Sequence, residues 1–221
     1  MTNILVIKLG ALGDVLRTTC ILPGLHEKYR DVAISWITAE HAICLLQDNP
    51  MISQVLSVER LSMNNLGQIH FDLVINLDDE DIACDIATSL NTKALFGAYR
   101  RGGQAHYTMD SANWFDMSLI STFGKVEADR RKKLNRRSYP EILFDSLEIL
   151  PGKPFLSLKR EDRSFAKVFA KAHLRSGTKK IGLNTGAGRR WQLKQLSVSQ
   201  TAELANRLTN QAGRQILIYG G

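Results

Sequence analysis

The sequence lacks the features that mark secreted, membrane-spanning and metal-stabilised proteins. Its three cysteines, Cys20, Cys44 and Cys84, cannot all pair and have no metal-type spacing, which excludes a disulfide scaffold and favours a reducing cytoplasm. The apolar runs, such as residues 3–9, are far shorter than the ~20 residues that a membrane-spanning helix needs. No basic region precedes the first apolar run and no small-residue cleavage site follows it, so we expect no signal peptide.

Histidines are also few, and acidic residues are outnumbered. The five histidines form no H-E-x-x-H or similar cluster, so no metal site is predicted from them. The chain has 29 Lys and Arg residues and 22 Asp and Glu residues, which gives a net charge of +7. Such a balance indicates an anionic partner: nucleic acid, anionic lipid or a phosphorylated substrate. Ordinary proportions of hydrophobic (44%) and charged (23%) residues exclude a disordered chain.

What the sequence does contain is a repeated strand–helix alternation. Residues 4–9 are a continuous apolar run typical of a buried parallel strand, followed by a glycine turn and a helix that Pro23 is expected to kink or end. The alternation predicts an α/β fold with a parallel, doubly wound sheet. Further strands are predicted at 32–38, 54–58, 71–77, 93–98, 180–184 and 215–219, and helices at 40–47, about 80–90, 139–150, 163–174 and 197–211, with a capping box at Ser197 and Gln200.

A Pro-Gly-Lys-Pro segment divides the chain. We predict an N-terminal domain at 1–150, a linker at 151–155 and an incomplete C-terminal domain at 156–221. Two strands and two helices are too few to bury a core well alone. We therefore expect the chain to be the front of a longer protein or a truncated gene product.

The first turn, Gly10-x-x-Gly13-Asp14, stands where α/β sheets bind ligands, at the carboxyl end of a strand. Glycines there let a ligand approach the backbone closely. The spacing is not the dinucleotide fingerprint G-x-G-x-x-G, so NAD binding is not supported. From the residues alone, Asp14 is better explained as a helix N-cap than as a catalytic group.

A second turn, NTGAGRRWQLK at residues 184–194, combines small residues with three cations before a capped helix. This pattern suits a phosphate-bearing ligand, and we prefer that interpretation to a solvated basic loop.

Two charged clusters have simpler explanations. Asp79-x-Asp81 resembles the metal-binding signature of sugar-nucleotide enzymes, but the acidic first turn of a helix explains it, and no neighbouring ligand pattern supports a metal. Residues 129–137 hold six cations, which fit an exposed helix face or, more specifically, a surface for an anionic acceptor or membrane. Nucleic acid is disfavoured, since no aromatic residues are interleaved.

Four segments together resemble glycosyltransferase family 9, the ADP-heptose:lipopolysaccharide heptosyltransferases: ILVIKLGALGDVLRTTCILPGL, FDLVINLDDE, NRRSYPEILFDSLEIL and IGLNTGAGRRWQLKQL. The resemblance implies a GT-B fold of two Rossmann-like domains, with the lipopolysaccharide inner core held by the first and ADP-heptose by the second. It implies an inverting transfer of heptose that needs no metal and no cofactor. It also implies a cytoplasmic protein that contacts the inner-membrane surface peripherally, with no nucleic-acid partner.

The resemblance also assigns roles. Asp14 matches the family's catalytic aspartate, the general base that takes a proton from the acceptor hydroxyl. Arg189 falls where the family carries a cation near the donor phosphates, and would neutralise the departing diphosphate. The implied donor-binding residues are Thr185, Gly186, Ala187, Gly188, Arg189 and Lys194, and the implied acceptor-binding residues are Gly10, Gly13, Arg100, Arg101, Lys133, Arg136 and Arg137.

Three alternatives remain open from the sequence. The family's donor-binding half extends well beyond Gly221, so one alternative is a non-catalytic truncated module that binds an anionic glycolipid acceptor. A second is a relative that uses another nucleotide sugar. A basic nucleic-acid binder ranks last, because it rests on charge alone.

Overall fold

The computed structural model describes residues 1–62, 66–186, 195–210 and 213–220. The chain divides into two compact units, Met1–Ser157 and Leu158–Gly221. The predicted linker at 151–155 lies inside the first unit.

The first unit is built on a six-stranded sheet with the order β3-β2-β1-β4-β5-β6, in which only the β5–β6 pair is antiparallel. β2 and β3 add to the sheet on one side of β1, and the chain then crosses over so that β4 pairs with the other side of β1. The strands are β1 (Thr2–Ile7), β2 (Val32–Thr38), β3 (Gln54–Ser57), β4 (Phe71–Asn76), β5 (Thr92–Arg101) and β6 (Gln104–Tyr107).

Helices cover both faces of this sheet. They are α1 (Leu12–Thr18), α2 (Leu22–Tyr29), α3 (Asp81–Ser89), α4 (Ala112–Phe115), α5 (Gly124–Leu134) and α6 (Tyr139–Leu147). A 3-10 turn, Thr19–Ile21, separates α1 from α2, and Pro23 lies in the first turn of α2, where its missing N–H costs no hydrogen bond. The expected interruption therefore occurs before Pro23 and not at it.

The core explains why β1 is apolar throughout. Ile4 and Val6 belong to a cluster with side chains of α2 and α6, whereas Leu5 and Ile7 pack on the opposite face with α3. All four are fully buried. A strand covered on both faces needs apolar residues at successive positions rather than alternate ones.

Several elements differ from prediction, and three of the differences are the most marked. Residues 40–47 form a shorter 3-10 helix, Glu40–Leu45, instead of an α-helix. The β5–β6 hairpin was not predicted; its two turn residues, Gly102 and Gly103, both have positive φ, as tight hairpins require. The basic run at 129–137, where no helix was predicted, begins inside α5 and continues past its end.

The second unit contains α7 (Arg160–His173), β7 (Lys179–Asn184), α8 (Val198–Thr209) and β8 (Arg214–Tyr219), and β7 pairs with β8 in parallel. The predicted capping box of Ser197 and Gln200 is confirmed at the start of α8. Among the unit's described residues, Thr201 is the one fully buried side chain, and large apolar side chains such as Phe165 are exposed.

Candidate active site

The carboxyl ends of β1 and β4 meet at the point where the strand order reverses. The backbone N–H of Leu77 donates to Ile7 O at 3.0 Å, and that of Lys8 donates to Ile37 O at 3.0 Å, so the segments just past the strands stay joined. In open α/β sheets the crevice at such a reversal is where ligands bind. The turn that carries Gly10, Gly13 and Asp14 begins here.

Neither glycine of this turn is required by packing. A Cβ at Gly10 or Gly13 would meet nothing within 4 Å, and neither residue has a positive φ. The backbone of the turn therefore faces open space, which leaves room for the close approach that the sequence predicts.

Asp14 lies in the first turn of α1, and its side chain is 43% exposed. The interpretation of Asp14 as a helix N-cap is wrong: the N-cap position is Ala11, and no side chain caps the helix. The carboxylate instead pairs with Arg17, with 3.2 Å between Asp14 Oδ1 and Arg17 Nη2. A carboxylate in a first turn is also favoured by the helix dipole.

Arg17 and Tyr139 form a series of contacts that holds the Asp14 carboxylate and its helical turn in place. The Arg17 guanidinium lies over the Tyr139 ring, 4.2 Å from its centroid, in a cation–π contact. The Tyr139 hydroxyl is 3.0 Å from Thr18 Oγ1, which donates to Asp14 O at 2.6 Å. Burial raises the pKa of the Tyr139 phenol, so the hydroxyl stays neutral. The turn of α1 that bears Asp14 is thus tied to α6.

The acidic cluster Asp79-x-Asp81 fits the helix-start interpretation at Asp81, whereas Asp79 lies before the helix. Asp81 is the first residue of α3, and Arg100 pairs with it and with Asp85, each at 2.8 Å. Hydrogen bonds to Asp85 and Asp81 raise the pKa of Arg100. Over the described ranges, no three His, Cys, Asp or Glu side chains form a group that could hold a metal ion.

Arg100 and Arg101 end β5, on the same edge of the sheet as the Gly10–Asp14 turn and two strands away. Arg100 is mostly covered, and its guanidinium also donates to Gly103 O at 3.1 Å. Arg101 is exposed. Arg100 therefore connects α3 to the β5–β6 hairpin, whereas Arg101 faces solvent.

The basic run divides into paired and unpaired cations. Arg130 and Arg131 both pair with Glu127, and these contacts, with Arg130 first, lower the pKa of Glu127 to about 2. Arg137 pairs with Asp145 at 2.8 Å. Of the six cations of this run, three are exposed and form no ion pair with a described residue, and we call them the α5 basic surface: Lys132, Lys133 and Arg136.

The second turn is described only at its start. Thr185 donates its backbone N–H to Tyr219 O at 3.0 Å, and Gly186 donates to Asn184 Oδ1 at 3.0 Å. A Cβ at Gly220 would overlap Thr185 Oγ1, so the two strand ends lie in close contact. The other predicted donor residues, Ala187, Gly188, Arg189 and Lys194, lie outside the described residues.

Sequence reasoning missed four residues around the first turn, Arg17, Tyr139, Lys8 and Asp78. Arg17 follows Asp14 at the i,i+3 spacing of helical ion pairs, a signal that was present in the sequence. Tyr139, and Lys8 and Asp78, which form a buried ion pair with each other, come from segments far apart in the chain, and no local pattern links them.

Comparison with known proteins places the fold. No protein-family model matches the sequence, and no curated protein matches it. Among solved structures, the whole chain matches a glycosyl transferase family 9 protein from Veillonella parvula DSM 2008, with 20% sequence identity, a TM-score of 0.73 and 63% of that protein covered.

Two E. coli structures also match over the whole chain. They are ADP-heptose lps heptosyltransferase II, with 17% identity, a TM-score of 0.57 and 65% coverage, and heptosyltransferase WaaC with ADP, with 15% identity, a TM-score of 0.55 and 67% coverage. The chain thus spans less than two thirds of the V. parvula protein and of heptosyltransferase II. The predicted α/β fold of GT-B type is confirmed, and the chain shares it with glycosyltransferases of family 9.

Proposed function

We propose that this chain is the acceptor-side domain and the start of the donor-side domain of an inverting glycosyltransferase, one that transfers heptose from ADP-heptose to the lipopolysaccharide inner core. The observation that carries the proposal is the placement of Asp14. An exposed carboxylate on an uncrowded glycine turn stands at the sheet's reversal point, in a fold shared with heptosyltransferases.

Asp14 acts as the general base in this proposal. It takes the proton from the acceptor hydroxyl as that oxygen attacks the anomeric carbon of the donor sugar, and the ADP leaves from the opposite face. Arg17 holds the carboxylate on the open side of the turn, and the space beside Gly10 and Gly13 admits the acceptor. The residues that we assign supply acid–base and electrostatic catalysis, and the proposal includes no metal or cofactor.

The acceptor is anionic in this proposal, and the α5 basic surface and Arg101 are its attracting charges. Unpaired, exposed cations attract phosphorylated sugars without first breaking an internal ion pair. Arg100 and Arg137 were predicted for the same role, but each is paired with acids, so they would contact the acceptor only by sharing or exchanging those partners. The same cations would keep the protein peripherally on the cytoplasmic side of the inner membrane. No helix in the described ranges has the length and apolar composition needed to cross a membrane.

In this proposal the second turn, at residues 184–194, binds the nucleotide-sugar donor. Neighbouring structures of WaaC contain ADP and ADP-2-deoxy-2-fluoro heptose. Thr185 and Gly186 begin this turn directly after β7, and the glycines and cations that follow in the sequence suit a diphosphate. We propose that residues 185–189 and Lys194 contact the ADP.

The test is sugar transfer by Asp14→Asn. The substitution removes the base while keeping the side-chain shape, so we expect transfer from ADP-heptose to a Kdo₂–lipid A acceptor to fall by roughly 10²–10⁴-fold, with the melting temperature unchanged. Asp31→Asn is the matched control, because Asp31 precedes β2 at the amino edge of the sheet and forms, among the described residues, one ion pair, with the chain's N-terminus. Parental transfer by Asp14→Asn would contradict the proposal.

One observation favours the non-catalytic alternative. Apart from Thr201, the described part of the second unit has no buried side chain, so little packing holds its donor site in place. Calorimetric titration separates the two functions. Binding of both ADP-heptose and the acceptor supports the transferase, and binding of the acceptor alone supports a binding module.

A further inference from the structure

A buried ion pair lies beneath the turn that carries Asp14. Lys8 Nζ is 2.5 Å from Asp78 Oδ1, and the two side chains are only 8% and 9% exposed. The other carboxylate oxygen, Asp78 Oδ2, accepts the backbone N–H of Leu9, the residue immediately before Gly10. The carboxylate thus binds the first turn twice, through a side chain and through the backbone.

Asp78 is itself held in place by the neighbouring strands. Its backbone N–H donates to Asn76 Oδ1 at 3.1 Å, and the Asn76 side-chain amide donates to Ala98 O at 2.8 Å. Asn76 is fully buried. A chain of hydrogen bonds therefore runs from β5 through β4 to the end of β1, across the point where the strand order reverses.

Stability alone is a weak explanation for this pair. Removing two charges from water costs more than their attraction commonly returns, and apolar replacements of similar volume are often neutral or stabilising. What an apolar pair cannot supply is the acceptor for the Leu9 N–H, which fixes the direction in which the chain leaves β1.

A second ion pair on the same sheet provides the contrast. Lys93 pairs with Asp72 at 2.6 Å between β5 and β4, and Asp72 also accepts a β1 backbone N–H, that of Asn3. This pair has the same hydrogen-bond pattern, but it lies at the amino edge of the sheet, away from the Asp14 turn, and Lys93 is exposed.

We propose that Lys8 and Asp78 are positioning residues that hold the Leu9–Gly13 backbone in the one arrangement that presents Asp14 to the acceptor. The catalytic consequence rests on the proposed function. The ordering of the turn does not, and it can be measured in the ligand-free chain.

Two double variants test the proposal. K8Q/D78N keeps a neutral hydrogen-bonded pair and an acceptor oxygen for Leu9, whereas K8M/D78L removes both. We expect both to fold, with K8M/D78L at least as stable as K8Q/D78N. Only K8M/D78L should show amide hydrogen exchange at Leu9–Gly13 that is at least 10-fold faster, while exchange in β1 stays unchanged. K8M/D78A also lacks the acceptor, and it replaces K8M/D78L if the Leu side chain does not fit.

The matched control is K93M/D72L, which removes the equivalent pair at the amino edge. We expect it to leave exchange at Leu9–Gly13 unchanged. Parental exchange in the turn of K8M/D78L, or equally fast exchange in K93M/D72L, would overturn the positioning role.

Sugar transfer separates this inference from the proposed function. We expect K8M/D78L to lower kcat at least 10-fold with little change in KM, and K8Q/D78N to restore it. If Asp14→Asn abolishes transfer but K8M/D78L transfers at the parental rate, the positioning role is wrong and the proposed function stands. If Asp14→Asn transfers normally while the turn of K8M/D78L loosens, the proposed function is wrong and the positioning of the turn stands.

Discussion

The two units share one sequence pattern, a strand, a small-residue turn and a helix, yet they differ in what surrounds the strand. β1 and β7 are both six residues long, and four residues of β1 are fully buried, whereas none of β7 is. β1 lies between β2 and β4 with helices on both faces, and β7 pairs, within the described chain, with β8 alone. The burial of each strand follows the number of elements that cover it, and the sequences agree: residues 4–7 of β1 are all apolar, whereas β7 begins with two lysines.

The largest expected difference between the units comes from truncating one leucine in each strand. Leu5→Ala in β1 leaves a cavity in a fully packed core and should lower the free energy of unfolding by about 2–5 kcal/mol. Leu183→Ala in β7 removes a partly buried side chain from a less tightly packed unit, and should lower the free energy of unfolding by about 1 kcal/mol. Equal losses would mean that the second unit is as well packed as the first.

Thiol labelling during urea unfolding measures the first unit separately, because all three cysteines lie in it. Burial raises the pKa of the Cys20 and Cys84 thiols to about 11, so at pH 8 they should stay unlabelled until this unit unfolds. Cys44 is exposed and should react at once, which provides the internal reference.

A smaller difference is expected from adding a methyl group to one glycine in each unit. Gly97 has φ +106°, and a Cβ there would overlap the backbone carbonyl of Asn76, which cannot move without disturbing β4. Gly97→Ala should therefore lower the free energy of unfolding by at least about 1–3 kcal/mol. At Gly182 the obstacle is the end of the Tyr219 side chain, which can rotate away, so Gly182→Ala should cost less than about 1 kcal/mol. Urea titration of both variants measures these costs, and a larger loss at Gly182 would reverse the comparison.

The smallest effect concerns charge on the helices. Glu127 in α5 is bound by two arginines, whereas Glu203 in α8 pairs, among the described residues, with one, Arg207. The folded pKa of Glu127 is lowered to about 2, from an ordinary value of 4.5. The contribution of this carboxylate to the free energy of unfolding is therefore fully present above pH 4.5 and is lost as the pH falls towards 2. An NMR titration of the Glu127 carboxyl should show a midpoint near 2. In R130M/R131M the midpoint should return towards 4.5, and a midpoint that stays near 2 would contradict the assignment to these arginines.

The sheet could be predicted from the sequence because buried parallel strands are continuous apolar runs with glycine or acidic residues at their ends. Residues 32–38 match β2 at both ends, and most other strand boundaries agree within one residue. α5 escaped prediction because charged residues occupy nearly every side of it, so it has no apolar period to detect.

The candidate site was only partly predictable, because several of its contacts join distant segments. The turn with Gly10, Gly13 and Asp14 is local and was identified. The bond from Asp78 to Leu9 spans 69 residues, and the contact of Tyr139 with Thr18 spans 121. Arg100 looked like a free cation in the sequence, and only the fold brings the acids of α3 to it.

The central position of β1 has a consequence for synthesis on the ribosome. β1 emerges first, but its partners are β2, some 30 residues later, and β4, some 70 residues later, as the pairs of Ile4 with Ile34 and Leu73 show. At roughly 5–20 residues per second, about 3–14 s pass between translation of β1 and of β4. Through that interval Ile4–Ile7 lacks the β4 neighbour that covers one of its two edges in the folded protein, so a fully buried strand is complete only after the chain beyond it has been made.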